Sequence, residues 1–265
     1  MRFGAALALG GLVPRLAAGL AGLVILSAIV FAALMGRLES RPPLELLPSL
    51  TASALAWGSG LLLAFASATQ VLRRDREQGI WQLLRARGGT VKPYLWARLS
   101  GLAVALFAIV GGGALLTGLV AMLVARRPGL ALSCAQSSLA SLVYAAAFAV
   151  TLAPLAVAAL GARTRAGGYF GLLLVIFLPE LLLPWTEALL PGSWGELASL
   201  PSALAALRGA LMPEHVDVER FVRAAVVLGL VAVAAFAYVK QQVANLQQER
   251  VPYLWSPRVE RVRRR

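Results

Sequence analysis

Leu16–Met35 runs for 20 residues without a single charge. A helix of about 20 apolar residues crosses the roughly 30 Å hydrocarbon core of a bilayer. Lipid offers no hydrogen-bonding partner to a peptide group, so a crossing segment without a closed barrel must be helical. The run therefore predicts a membrane-crossing helix at 16–35, and similar stretches recur at 49–72, 99–125, 139–160, 166–185 and 221–239. The expected fold is an all-α polytopic membrane protein with six spans. The fifth span is interrupted by Pro179, Glu180 and Pro184, and Arg223 lies in the sixth, where it can snorkel to the interface. The third is long enough to tilt.

Composition agrees with this reading. Hydrophobic residues make up 59% of the 265 and charged residues 14%, and mean hydropathy is +0.77. Soluble domains run near 45–50% apolar and about 25% charged. A soluble enzyme, a disulfide scaffold and a disordered chain are excluded. The one cysteine, Cys134, cannot pair within the chain.

The formal net charge of +13 would suggest nucleic acid on a soluble domain. Here the cations flank the apolar runs. With six spans, 18 of the 25 Lys and Arg fall on the side that holds both termini. The positive-inside rule then places the termini in the cytoplasm. Arg126 and Arg127 are the discordant pair, in a tight connection after the third span. Ahead of the first span, Phe3–Val13 is expected to be an interfacial helix. Residues 1–240 form one transmembrane domain in this reading and 241–265 a basic cytoplasmic tail.

Three polar segments lie outside the spans. Between the second and third, Arg73–Gly89 places Ile80, Leu83, Leu84 and Arg87 at i, i+3, i+4 and i+7, a helical stripe. Asp75 and Glu77 lie early and Arg85 and Arg87 late, which suits a helix dipole, and Gly88-Gly89 would end the helix. Between the fifth and sixth spans, Leu197, Leu200, Leu204 and Leu207 recur at helical spacing. Short helices dipping into the bilayer need them, provided protein contacts satisfy their backbones. The tail carries Tyr253 and Trp255, then Arg258, Arg261, Arg263, Arg264 and Arg265, suited to anionic headgroups at about 1 kcal/mol per cation.

Together these segments resemble the membrane (permease) subunit of ABC transporters of the type-2 exporter family. Glu77-Gln78-Gly79-Ile80-Trp81-Gln82-Leu83-Leu84 stands where the family carries its coupling helix. Arg98 stands at the start of the third span, and Pro201-Ser202-Ala203-Leu204-Ala205-Ala206-Leu207-Arg208 is similar to the stretch before the family's last span. The chain departs from the family at Ile80, Gln82 and Gly88, where relatives favour Thr or Ser, Glu and Pro. The resemblance implies an N-terminal interfacial helix, a cytoplasmic coupling helix and re-entrant helices between spans five and six. It also implies an ATP-driven exporter in a bacterial inner membrane, working as a dimer with a second permease. ATP and Mg would then sit on a separate ATPase subunit. Glu77, Gly79, Ile80, Trp81, Leu83, Leu84 and Arg85 would dock that ATPase, with Trp81 as anchor and charges setting register. The other reading is a non-transporting membrane scaffold or assembly factor, for instance in haem or copper-site maturation.

The chain lacks a Gly-x-x-x-x-Gly-Lys-Ser/Thr phosphate loop. No histidine lies in a position for a Ser-His intramembrane protease, and no His-Glu-x-x-His motif exists. No catalytic or metal residue is expected; His215, beside Glu214 and Asp217, reads as a solvated loop histidine. Glu180 is the acid of most interest, because charge at membrane depth is costly. With Pro179 it either lines a translocation path and holds a broken helix, or sits at the outer interface.

Overall fold

The computed structural model describes residues 12–35, 44–69, 79, 83, 91–125, 127–160, 165–189, 192–212 and 216–248. Their regular elements are all helical. We label the helices α1 (Leu12–Met35), α2 (Leu47–Leu55), α3 (Leu61–Thr69), α4 (Val91–Val124), α5 (Pro128–Leu160), α6 (Arg165–Leu181), α7 (Leu183–Leu189), α8 (Leu200–Gly209) and α9 (Val218–Gln248). Five segments are long and apolar enough to cross a membrane: Leu12–Leu34, Leu44–Ala68, Pro93–Val124, Pro128–Leu160 and Val218–Ala244. These are the hallmark of an integral membrane protein.

The helices are longer than the apolar runs that announce them. α4 has 34 residues and α5 has 33, about 50 Å each at roughly 1.5 Å per residue. α4 begins eight residues before the expected span and α5 eleven, because Pro93 and Pro128 sit in their first turns, where a missing N–H costs nothing. Pro14 likewise falls in the first turn of α1 and does not interrupt it.

α4 and α5 form the central antiparallel pair, with the most extensive packing in the bundle. Their connection is short: Ala125 N–H still donates to Ala121 O at 2.9 Å, and Ala131 N–H already donates to Arg127 O at 3.1 Å. The discordant Arg127 is exposed at this turn. Small residues let the helices approach. A methyl group on Gly113 would overlap Leu55, and one on Gly118 would overlap Ser138, so these two glycines serve packing within the chain.

α1 shows how packing in lipid differs from packing in water. Pro14 and four alanines, Ala17, Ala21, Ala28 and Ala32, are its buried residues, while Leu16, Leu20, Leu23, Leu26, Val30 and Leu34 point outward. Lipid tails are as apolar as leucine, so burial of large side chains is not the driving force. Close backbone approach and van der Waals contact are. α9 follows the same logic with Ala224, Leu228, Ala235, Val239 and Val243 inward, packed on α5 and α8.

The expected fifth span differs from a simple crossing. α6 has 17 residues, shorter than each of the five segments long enough to cross a membrane. The chain turns at Leu182 and restarts as the seven-residue α7. The break comes three residues after Pro179, which itself lies inside α6.

Candidate functional site

The segment between α7 and α9 supplies the most unusual side-chain chemistry of the bundle. A 3-10 stretch, Gly192–Ala198, leads into α8. Ser199 starts the helix as its N-cap, in extended conformation, with its hydroxyl accepting from Ser202 N–H at 3.1 Å. Such a cap satisfies one of the helix's unpaired amides. Leu200, Ala203, Leu204, Ala206 and Leu207 then form a buried face against α5, α6 and α9. The leucine spacing in this segment is therefore an inward stripe: Leu197, Leu200, Leu204 and Leu207 are all buried.

Each end of α8 is tied to another helix by a polar contact. At its start, the Ser199 hydroxyl donates to the Glu180 carboxylate, and the Ser202 hydroxyl lies against that of Ser199. Glu180 is half-buried near the end of α6. At the far end, Arg208 Nη1 donates to Ser49 O at 2.7 Å and to Ser53 Oγ at 2.6 Å, both on α2. The guanidinium lies 5.1 Å from the centroid of the Tyr144 ring on α5. An acid at the N-terminus and a cation at the C-terminus both favour the dipole of α8. Neither ion is paired with an opposite charge among the described residues.

Below Arg208 runs an aromatic column. Tyr144 stacks on Phe148 with ring centroids 6.4 Å apart, and Phe148 meets Trp57 edge-on at 5.5 Å. Trp57 contacts Phe177 of α6 at 6.0 Å. Trp57 lies in a π-helical turn, Ala56–Gly60, that joins α2 to α3. Single π turns recur at functional positions of helices because they redirect side chains. Here the turn follows directly on the helix that holds Ser53, so the polar and aromatic groups form one continuous corner between α2, α5, α6 and α8.

A second charged cluster lies at the same end of the bundle. Arg220 pairs with Glu196 at 2.7 Å and Arg223 with Glu219. Arg223 also lies 5.8 Å from the Trp194 ring, and Asp217 accepts from Arg220 N–H at 2.9 Å, starting α9. Glu196, Asp217, Glu219, Arg220 and Arg223 line a cleft of about 230 Å³. These charges largely satisfy each other. No group of three or more His, Cys, Asp or Glu among the described residues could hold a metal ion.

Of the docking residues expected between spans two and three, Glu77, Ile80, Trp81, Leu84 and Arg85 lie outside the described residues, as do Arg258, Arg261, Arg263, Arg264, Arg265 and His215. Gly79 has φ 68°, a left-handed conformation in which glycine pays no steric penalty. The right-handed helical conformation therefore does not extend through Gly79 itself. Leu83 N–H donates to Gly79 O at 3.1 Å, so an α-turn begins at the glycine, and the Leu83 side chain is exposed.

Sequence reasoning missed the Ser49, Ser53, Tyr144 and Arg208 corner. In the sequence Arg208 stands out only as the end of the stretch from Pro201 that carries the resemblance, yet it closes an otherwise apolar leucine-alanine stripe, which marks it for partial burial. Ser137, Ser141 and Tyr144 recur at i, i+4 and i+7 on α5, a polar stripe inside an apolar span. No protein-family model, curated protein or solved structure matches this chain.

Proposed function

We propose that this chain is the transmembrane subunit of an ATP-driven exporter of the type-2 ABC class, forming a path as a dimer and driven by a separate ATPase. The observation that supports it best is α8. This short apolar helix folds back among the spans and is pinned at one end to α6 through Glu180 and Ser199, and at the other to α2 and α5 through Arg208. Displacement of any one of these helices must move the others, which is what a force-driven transporter requires of its membrane half. α8 in this reading is a re-entrant helix, and α6 with α7 forms a sixth, broken crossing.

The positive-inside distribution puts both termini and the turn at Gly79–Leu83 on the cytoplasmic side of a bacterial inner membrane, within reach of an ATPase. Exposed Leu83 is available to such a partner. The test is to search the neighbouring reading frames for an ATPase with phosphate-loop and signature motifs and to co-express it with this chain, comparing the native protein with Trp81→Ala and Glu77→Lys. Loss of co-purification and of stimulated ATP hydrolysis in either variant is the expected result. Unchanged association and hydrolysis in both would remove the docking segment and favour a non-transporting scaffold.

A further inference from the structure

The corner around Arg208 holds more hydrogen-bonding capacity than the bundle uses. Nη1 is occupied by Ser49 O and Ser53 Oγ. Nε and Nη2 have no partner among the described residues, and neither atom is sealed inside the fold. No carboxylate faces the guanidinium among the described residues; its ring neighbour, the Tyr144 phenol, is neutral and supplies no counter-charge. Tyr144 is only 2% exposed. Its hydroxyl lies beside Ser53 and Trp57 yet completes no hydrogen bond of normal geometry. Ser137, two helical turns away on the same side of α5, also has a buried hydroxyl without a partner.

Buried polar groups are almost always satisfied, and a guanidinium withdrawn from water needs a counter-charge to be favourable. Open guanidinium donors with an unsatisfied phenol hydroxyl beside them, and no opposite charge, are the complement of an oxyanion. The guanidinium fork matches the spacing of phosphate or carboxylate oxygens, and such charge-assisted bonds are the strong ones. Phe148 is fully buried, but Trp57 and Phe177, next in the aromatic column, are half-buried and exposed and offer an apolar surface to a tail.

We propose that the Arg208–Tyr144 corner is an anion subsite that receives the phosphate or carboxylate head of an amphipathic molecule. Arg208 Nε and Nη2 donate to the oxyanion, the Tyr144 hydroxyl donates a further hydrogen bond, and Ser49 and Ser53 hold the guanidinium in place. Naming the bound molecule as cargo rests on the export reading above; the subsite itself does not.

The test uses the full chain purified in dodecyl maltoside, a neutral detergent. Dodecyl phosphate, dodecanoate, inorganic phosphate and dodecyltrimethylammonium are titrated separately while thermal unfolding is followed. Dodecyl phosphate is expected to raise the melting temperature saturably and the cationic amphiphile not to. Arg208→Gln is expected to shift half-saturation at least tenfold upward, and Tyr144→Phe several-fold, with the melting temperature of unliganded Tyr144→Phe unchanged. If Arg208→Gln does not fold, Arg208→Lys and Tyr144→Phe carry the comparison. An equal response to inorganic phosphate identifies a free anion as the source; a response to the amphiphiles alone identifies a head group. Equal half-saturation in native protein, the Arg208 variant and Tyr144→Phe, or an equal response to dodecyltrimethylammonium, overturns the subsite. No ATPase is present in this experiment. Saturable binding in a chain that recruits no ATPase would leave the subsite standing and remove the exporter.

Discussion

Arg208 and Tyr144, 64 positions apart in sequence, meet with the guanidinium 5.1 Å from the ring centroid. The contact joins the end of a ten-residue helix to the middle of a 33-residue one. A cation facing an aromatic ring gains roughly 0.5–2 kcal/mol, more when water is excluded. The ring, not the hydroxyl, makes this contact. Tyr144→Phe is therefore expected to leave thermal stability unchanged or slightly raised, since it removes an unsatisfied buried hydroxyl. Tyr144→Leu is expected to lower stability by about 1–3 kcal/mol through the lost ring contact and packing. Thermal unfolding in detergent compares the two, and equal loss in both would show that the hydroxyl has a partner.

Ser53 is the other anchor of Arg208, through a 2.6 Å hydrogen bond. A hydrogen bond to a charged group contributes about 1.5–3 kcal/mol. Ser53→Ala removes it while Ser49 O, a backbone acceptor, still holds Nη1. The expected loss lies at the low end of that range. In an Arg208→Gln background, Ser53→Ala is expected to cost much less, because the two residues form one network. Additive losses would mean that the serine hydroxyl acts independently of the guanidinium.

At the opposite end of α8, Ser199 caps the helix and donates to Glu180. Losing an N-cap hydroxyl costs about 1 kcal/mol, and Ser199→Ala also strips Glu180 of its partner. Glu180→Gln keeps an oxygen that can accept the same bond and is expected to be milder than Glu180→Leu. A double-mutant cycle between Ser199→Ala and Glu180→Leu should return a coupling of about 0.5–3 kcal/mol. A coupling near zero would separate α6 from α8 and weaken the case for their joint movement.

The helices were legible in the sequence because apolar runs of bilayer length leave the backbone few alternatives. Their ends were less so. α4 and α5 extend past their apolar cores through Pro93 and Pro128, and hydropathy carries no information on how far a helix continues outside lipid. The leucines at 197, 200, 204 and 207 announce a helical apolar face from periodicity, read in the sequence as dipping into the bilayer; the fold turns that face inward. What they could not announce is the neighbour. Arg208 meets Ser49 and Ser53 across more than 150 residues, and no local pattern encodes a contact between helices so distant in the chain. Glu180 was singled out for its position, but its partner Ser199 emerged only from the fold. The glycines show the same division: Gly111, Gly112 and Gly113 are identical neighbours in sequence, and only three-dimensional contacts distinguish their surroundings.

Those surroundings give a direct comparison within one helix. A methyl on Gly113 would overlap Leu55, whereas nothing lies within 4 Å of one on Gly112. Overpacking a close contact costs typically 1–3 kcal/mol. Gly113→Ala is expected to destabilise by about that amount, and Gly112→Ala to be neutral or stabilising, since alanine favours helix over glycine. Thermal unfolding of the two variants side by side decides it. Equal behaviour would mean that α2 does not approach α4 at Gly113.

Gly79 is the one residue with positive φ among those described, and its carbonyl accepts from Leu83 N–H at 3.1 Å. An L-residue in the left-handed region is disfavoured by roughly 1–2 kcal/mol. Gly79→Ala must therefore either strain the turn or flip it to a right-handed conformation, and both change how the segment after it leaves the preceding chain. Amide exchange at Leu83 reads this locally. Exchange about tenfold faster than in the native protein is expected where opening of the turn governs it, one order of magnitude for about 1.4 kcal/mol. Gly129→Ala, where an added methyl meets nothing within 4 Å, serves as the control and should leave Leu83 exchange unaltered. If the segment docks an ATPase, the same Gly79 variant should also lose ATPase recruitment although every side chain expected to make contact is retained. Unchanged Leu83 exchange together with unchanged recruitment would show that the left-handed glycine does not shape this turn.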